Sequence, residues 1–216
     1  MDYLRRTIDS ELDELMPFAV AIALDGPKGV GKTGTAARRA AHTVRLDRPG
    51  ERTVISNDFD LDTLPQGTIL FDEWQHLPQV WDSVRRSVDD GAPPGRFLLT
   101  GSATPVDAAG THSGAGRILS LRMRPMGFHE RRLSTPTVKF SDLLYGQGGS
   151  VDEPRFETLA EIDGSTDVAV GDYAEAIAAS GFPGIMAAPR RLRDGQLDAY
   201  LQRVIDRDLP ERDAGV

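Results

Sequence analysis

The 216-residue chain is long enough for one large domain with a buried core, or for one domain with a small appendage. Its 33 acidic and 25 basic residues give a net charge of −8, which argues against a general coat for nucleic acid or anionic membrane. The lack of cysteine excludes disulfides, thiolate zinc sites and cysteine nucleophiles. With an acidic N-terminus and no apolar run that would span a bilayer, we expect a cytoplasmic protein.

Short apolar runs alternate with helical patterns along the first part of the chain. An amphipathic helix is predicted over residues 3–16, where leucine and isoleucine recur at helical spacing. Further helices are predicted over residues 32–42 and around residues 80–88. Strands are predicted over residues 18–24, 43–47, 68–72, 96–101 and 118–123. This alternation favours an α/β fold with a parallel sheet between two helical layers.

The pattern changes in the last third of the chain. Residues 146–168 are rich in glycine and acidic residues without a sustained period, which indicates a loop or linker. Tyr173 and Ile177 then mark one helix, and residues 197–205 mark another that ends near Pro210. The predicted organisation is therefore a core over residues 1–145, a linker over 146–168 and a small helical region over 169–216.

A glycine-rich motif follows the first predicted strand and opens the next helix. It fits G-x-x-x-x-G-K-[ST], the Walker A pattern of P-loop proteins, at every fixed position, through Gly26, Pro27, Lys28, Gly29, Val30, Gly31, Lys32 and Thr33. Glycines permit the dihedrals with which backbone N–H groups surround phosphates, and the helix N-terminus adds partial positive charge. We expect Lys32 to reach the β- and γ-phosphates of a nucleotide and Thr33 to ligate Mg²⁺.

The third predicted strand is apolar and ends in Asp72 and Glu73, as a Walker B motif does. In P-loop enzymes an Asp at this position holds Mg²⁺ through water, and a neighbouring Glu can orient the attacking water. We therefore assign the metal role to Asp72 and the role of catalytic base to Glu73. An ordinary strand ending in solvated carboxylates is the alternative.

Three more residues are candidates for the hydrolytic machinery. Thr100 and Ser102 follow the fourth strand, and either hydroxyl would lie near the γ-phosphate. Arg117 precedes the fifth strand and would stabilise charge in the transition state, in its own chain or in a second copy. The alternatives are a strand-end turn rich in small residues and a solvated arginine.

Other patterns narrow the ligand and the partner. The chain has no N-K-x-D tetrapeptide, which favours ATP over GTP. The densest cationic stretch is interpreted as a solvated face, with contact to nucleic acid as the alternative; it contains Arg122, Arg124, Arg131 and Arg132.

Five segments together resemble a known group: GPKGVGKT, ILFDEWQ, FLLTGSA, GRILSLRMRPM and SGFP. They are similar to the ATPase domain of poorly characterised bacterial and archaeal AAA+-superfamily ATPases, which usually carry a C-terminal domain of unknown function. The resemblance covers nearly the whole chain. It implies a sheet order of 5-1-4-3-2, Glu73 as the water-activating base and a sensor at Thr100 or Ser102. It also implies that the second domain is missing or separate.

The sequence thus predicts an ATPase that uses ATP and Mg²⁺, is coupled to an unknown partner or conformational change, and forms a homo-oligomer if Arg117 acts in a second copy. Two alternatives stay open. One is a nucleotide-gated binding module with negligible turnover, and the other is a small-molecule kinase, for which no acceptor pocket is identified.

Overall fold

The computed structural model describes residues 3–61, 63–102, 116–133, 137–146, 150–154 and 164–208. Its strands are β1 (Ala21–Asp25), β2 (His42–Arg45), β3 (Ile69–Asp72), β4 (Phe97–Thr100) and β5 (Ile118–Arg122). Its helices are α1 (Thr7–Leu15), α2 (Lys32–Ala36), α3 (Pro49–Ser56), α4 (Gln79–Asp89), α5 (Phe140–Tyr145), α6 (Val170–Ala178), α7 (Pro183–Met186) and α8 (Arg190–Arg203). A short 3₁₀ turn, Trp74–His76, joins β3 to the segment before α4.

The five strands form one parallel sheet in the order β2-β3-β4-β1-β5. This is the predicted order 5-1-4-3-2 taken from the other edge, and the α/β fold of the P-loop NTPase type is confirmed. The central strands β3 and β4 are buried along their whole length, because neighbouring strands and helical layers leave no face exposed. Parallel strands end at the same edge, so the segments after β1, β3 and β4 meet there.

Alternation along the strands divides the core into two layers. One face carries Phe71 and Leu99, which pack with Trp81 of α4. The other face carries Ile22 and Leu98, together with residues of α1 and α2. Asp72 lies two residues after Leu70, and Thr100 two after Leu98, so both lie on the face with α2.

The helices of the structure differ from the sequence predictions in extent and in number. α2 ends at Ala36, well before the predicted residue 42, because the N–H groups of Ala41 and His42 both bond to the carbonyl of Thr68 and start the β2–β3 pairing. The sequence analysis did not predict α3, α5 or α7, in which Ile55 of α3 is the only buried residue. A helix with so few buried positions gives no clear apolar period.

The chain divides into two compact units, one of residues 1–126 with 180–216 and one of residues 127–179. The first unit contains the sheet and also α7 and α8, since the N–H of Met126 bonds to the carbonyl of Gly181 and Phe182 packs against Tyr200. This grouping differs from the sequence-based division, which ended the core at residue 145 and assigned residues 169–216 to one region.

The second unit is held together by contacts to α6. The rings of Phe128 and Tyr173 meet edge to face, with centroids 5.3 Å apart. The guanidinium of Arg131 donates to the carbonyl of Ala176, so this residue of the cationic stretch has a structural contact.

Among the described residues, none of the helices has the length and apolarity that crossing a membrane requires.

The buried centre of the sheet should carry much of the stability of the first unit. Phe71→Ala empties a fully buried site and should lower the free energy of unfolding by about 3–5 kcal/mol. Phe18→Ala is the matched control, because the Phe18 side chain is 82% exposed, and it should change stability by less than about 0.5 kcal/mol. Urea unfolding of the two variants checks this, and equal losses would contradict the assigned core.

Candidate nucleotide site

The glycine loop, residues 26–31, connects the end of β1 to the start of α2 and needs glycine for two reasons. Gly26, Gly29 and Gly31 have φ of +137°, +79° and +105°, which residues with a side chain rarely adopt. At Gly26 there is also no room, since an added Cβ would lie 2.2 Å from the carbonyl oxygen of Met123. The loop therefore lies directly against the segment that follows β5.

The side chain of Lys32, the first residue of α2, is buried beside this loop. Its Nζ donates to the carbonyl oxygens of Gly26 and Pro27, at 2.7 and 2.9 Å. Burial lowers the pKa of Lys32, because the charged form loses hydration, while Glu73 and Asp25 nearby oppose the shift. The ammonium is thus held where added negative charge, such as that of a phosphate, would stabilise it.

Asp72 joins the helix after the loop to the centre of the sheet. Its Oδ1 accepts hydrogen bonds from Thr33 Oγ1 at 2.7 Å and from Thr100 Oγ1 at 2.6 Å. The second contact follows from the register, in which Asp72 and Thr100 are paired across β3 and β4. The structure therefore brings Thr33, Asp72 and Thr100 together. Ser102 lies two residues after the end of β4 and takes no part in this contact.

Glu73 occupies a backbone conformation that is uncommon for a residue with a side chain. Its φ of 56° and ψ of 49° lie in the left-handed region and start the 3₁₀ turn. Such conformations persist where the surroundings fix them, and they are frequent at functional sites. The carboxylate accepts a hydrogen bond from the side-chain amide of Gln75, whose Nε2 also lies 3.4 Å from Ser102 Oγ.

Arg6 contacts the loop, although sequence reasoning did not single it out. Its buried guanidinium donates from Nη1 to the carbonyl of Val30 at 2.8 Å and from Nη2 to that of Arg124 at 2.6 Å. These bonds connect the loop to the segment after β5. No local signal marks this arginine among the many that the sequence contains.

A polar network holds α1, which follows Arg6, against the turn that follows α2. Asp9 accepts hydrogen bonds from Arg39 at 2.7 Å and from the Tyr3 hydroxyl at 2.7 Å. Burial alone would raise the pKa of Asp9, but hydrogen bonds from the Arg6 backbone, Tyr3 and Arg39 stabilise its charged form and lower the pKa overall. Burial raises the pKa of Tyr3 to about 12, so the tyrosine stays a donor.

Arg117 lies at the N-terminal end of the strands, opposite to the end at which the glycine loop lies. It directly precedes β5, whose first residue, Ile118, pairs with Ala21 at the start of β1, while the glycine loop follows the end of β1. Its Nε forms an ion pair with Asp89 at the end of α4. The structure does not bring Arg117 to the loop of its own chain, and its action in a second copy stays a prediction.

The donor set fits a magnesium nucleotide better than a metal cage made by protein alone. The described part of the chain has no cluster of three or more histidine, aspartate or glutamate side chains suited to a metal ion. Thr33 and Asp72 supply two oxygen donors, and Mg²⁺ in such sites takes its remaining ligands from phosphate and water. Lys28 in the loop is exposed, so it too is accessible to a ligand.

A parallel sheet of this order, with a glycine loop after β1 and acids after β3, defines an α/β protein of the P-loop NTPase type. Residues 19–131, more than half of the chain, match the family described as AAA domain, and the chain belongs to that family. Membership makes it an ATPase-type nucleotide-binding protein.

Two curated relatives also match the chain. Both are described only as uncharacterised proteins, one from Mycobacterium bovis and one from Mycobacterium tuberculosis. Each is 31% identical over 121 residues, which is 53% of this chain and 27% of the relative. The chain therefore matches about a quarter of the length of these relatives.

The requirement for glycine at Gly26 can be tested against a nearby glycine that has neither a positive φ nor a close neighbour. Gly26→Ala should lower the free energy of unfolding by more than about 2 kcal/mol, since it adds both a clash and a strained φ. Gly34→Ala lies in α2 with open space around it and should be neutral or stabilising by up to about 1 kcal/mol. Denaturant unfolding without nucleotide measures both, and a neutral Gly26→Ala would refute the close approach to Met123.

The buried Lys32 should give the stability a characteristic pH dependence. Its pKa is lowered on folding, so between the folded pKa and the ordinary value of 10.5 the unfolded chain binds more protons. Its contribution to stability is therefore present above 10.5 and lost as the pH falls through the folded pKa. The stability difference between wild type and Lys32→Met, from urea unfolding without nucleotide, should increase as the pH rises; a falling difference would contradict the lowered pKa.

Proposed function

We propose that the protein binds ATP with Mg²⁺ and hydrolyses it to ADP and phosphate. The observation that carries the proposal is the shared contact at Asp72, which accepts hydrogen bonds from Thr33 after the glycine loop and from Thr100 of β4. It links a phosphate-binding loop to a metal-binding carboxylate through a hydroxyl that is itself a Mg²⁺ ligand in P-loop enzymes. Membership of the AAA domain family supports the choice of nucleotide.

In this proposal each side chain has one task. The glycine loop and Lys32 hold the β- and γ-phosphates, and Thr33 and Asp72 hold the metal. When bound, Mg²⁺ supplies neutralisation of the charge that develops on the phosphate oxygens. Thr100 is buried and keeps Asp72 in place by its hydrogen bond.

Glu73 acts as the base. It takes a proton from water, whose oxygen forms a bond to the γ-phosphorus while the bond from that phosphorus to the β–γ bridging oxygen breaks. The released ADP keeps the electron pair of that bond. Hydrolysis would be coupled to a conformational change or to an unknown partner. ATP is favoured over GTP because the chain lacks the N-K-x-D tetrapeptide that reads guanine.

Glu73 and Lys32 should separate hydrolysis from binding. Glu73→Gln should reduce phosphate release about 10²- to 10⁴-fold while ATP affinity persists, since only proton removal is lost. Lys32→Ala should weaken ATP binding itself, because the positive charge that contacts the phosphates is removed. Phosphate release and titration calorimetry with Mg-ATP measure the two effects.

Glu11→Gln on the exposed face of α1 is the matched control and should leave both quantities unchanged. A Glu73→Gln variant that hydrolyses at the wild-type rate would remove Glu73 from the mechanism. Wild-type protein that binds ATP without turnover at any protein concentration would favour a nucleotide-gated module instead.

A further inference from the structure

Gln75 connects two residues that the sequence analysis treated separately. It lies in the 3₁₀ turn after β3, and its Nε2 donates to Glu73 Oε2 and lies 3.4 Å from Ser102 Oγ. A side-chain amide nitrogen carries two hydrogens, so one is available for each partner. Gln75 therefore forms a bridge between the candidate base and the residues that follow β4.

The orientation of the amide favours this role. Gln75 Oε1 is buried and has no hydrogen-bond partner among the described residues, while the nitrogen faces the carboxylate. Exchanging the two atoms would place a carbonyl oxygen against the Glu73 carboxylate, which is repulsive because neither group can donate. The surroundings thus favour donation to Glu73 although the carbonyl stays unpaired.

The turn that carries Gln75 is packed closely against the end of β4. A Cβ added at Gly101 would lie 2.6 Å from Gln75 Oε1 and 2.5 Å from Trp74 Nε1, so only glycine allows this approach. Trp74 is buried and packs on Trp81, with ring centroids 5.0 Å apart. Because packing fixes the backbone of the turn, the position of the Glu73 carboxylate depends on the torsions of its side chain. The side-chain amide of Gln75 restricts these torsions by its hydrogen bond.

We propose that Gln75 is a positioning residue for hydrolysis, which aligns the Glu73 carboxylate with the end of β4 through Ser102. Both acids would then be set by the same segment, Asp72 through Thr100 and Glu73 through Gln75 and Ser102. This inference rests on the proposed function, because it gives Gln75 a role only if Glu73 activates water. A base displaced by about 1 Å can lose about 10²-fold in rate.

The test replaces the amide by an apolar group of similar length. Gln75→Met removes both donors without adding charge and should reduce kcat about 10- to 100-fold, with the Kd for Mg-ATP within about twofold of wild type. Gln75→Glu keeps the shape but cannot donate when ionised, and should lose at least as much. Gln79→Met, on the exposed start of α4, is the matched control and should leave kcat unchanged.

A second readout needs neither turnover nor nucleotide. The side-chain amide signals of Gln75 in the nitrogen-15 NMR spectrum of the wild type are assigned through bonds to its own backbone. They should move towards the position of a free glutamine in Glu73→Ala, because the acceptor is lost. Amide signals that stay in place in Glu73→Ala would overturn the bridge, even if Gln75→Met fails to fold.

The outcomes distinguish this inference from the proposed function. Wild-type protein that binds ATP without hydrolysing it would overturn both. If wild type is active and Glu73→Gln is inactive, a Gln75→Met variant with wild-type kcat overturns the role of Gln75 alone. A parallel loss of ATP affinity and kcat in Gln75→Met would show a structural role and would also overturn positioning.

Discussion

The site depends on one carboxylate oxygen that two hydroxyls share. Asp72 Oδ1 accepts from Thr33 at the start of α2 and from Thr100 at the end of β4. Because the strands are parallel and in register, both partners lie at the same edge and on the same face of the sheet. A shift of one residue in the β3–β4 pairing would turn Asp72 to the other face and break the connection between loop and sheet.

Several features of the same region lower the stability of the folded protein. Lys32 is buried, which lowers its pKa, and the glycine loop relies on backbone conformations that cost conformational entropy on folding. Glu73 adds a left-handed backbone. These costs are offset by the buried sheet and by bonds such as those from Arg6 to Val30 and to the segment after β5. A functional site commonly concentrates such local costs on a stable scaffold.

The sequence was most informative where local chemistry determines structure. Short apolar or alternating segments predicted all five strands, and the glycine motif predicted the position of the loop. The signal was clearest for β1, β3 and β4, because strands buried on both faces are apolar along their length. It could not choose between Thr100 and Ser102, since that depends on the register, which pairs Thr100 with Asp72. Arg6 was not foreseen because its partner Arg124 lies 118 residues away and any arginine has the same local signature.

Gln75 shows a different limit of sequence analysis. It stands within the ILFDEWQ segment, yet no motif rule gives the second residue after the acids a task. Its contact with Ser102 exists only because Gly101 lets the turn approach the end of β4. The contact of this polar side chain thus depends on the absence of a side chain at Gly101, directly after β4. Since the ends of β3 and β4 also hold Asp72 and Thr100, the position of this one strand end governs both acids of the candidate site.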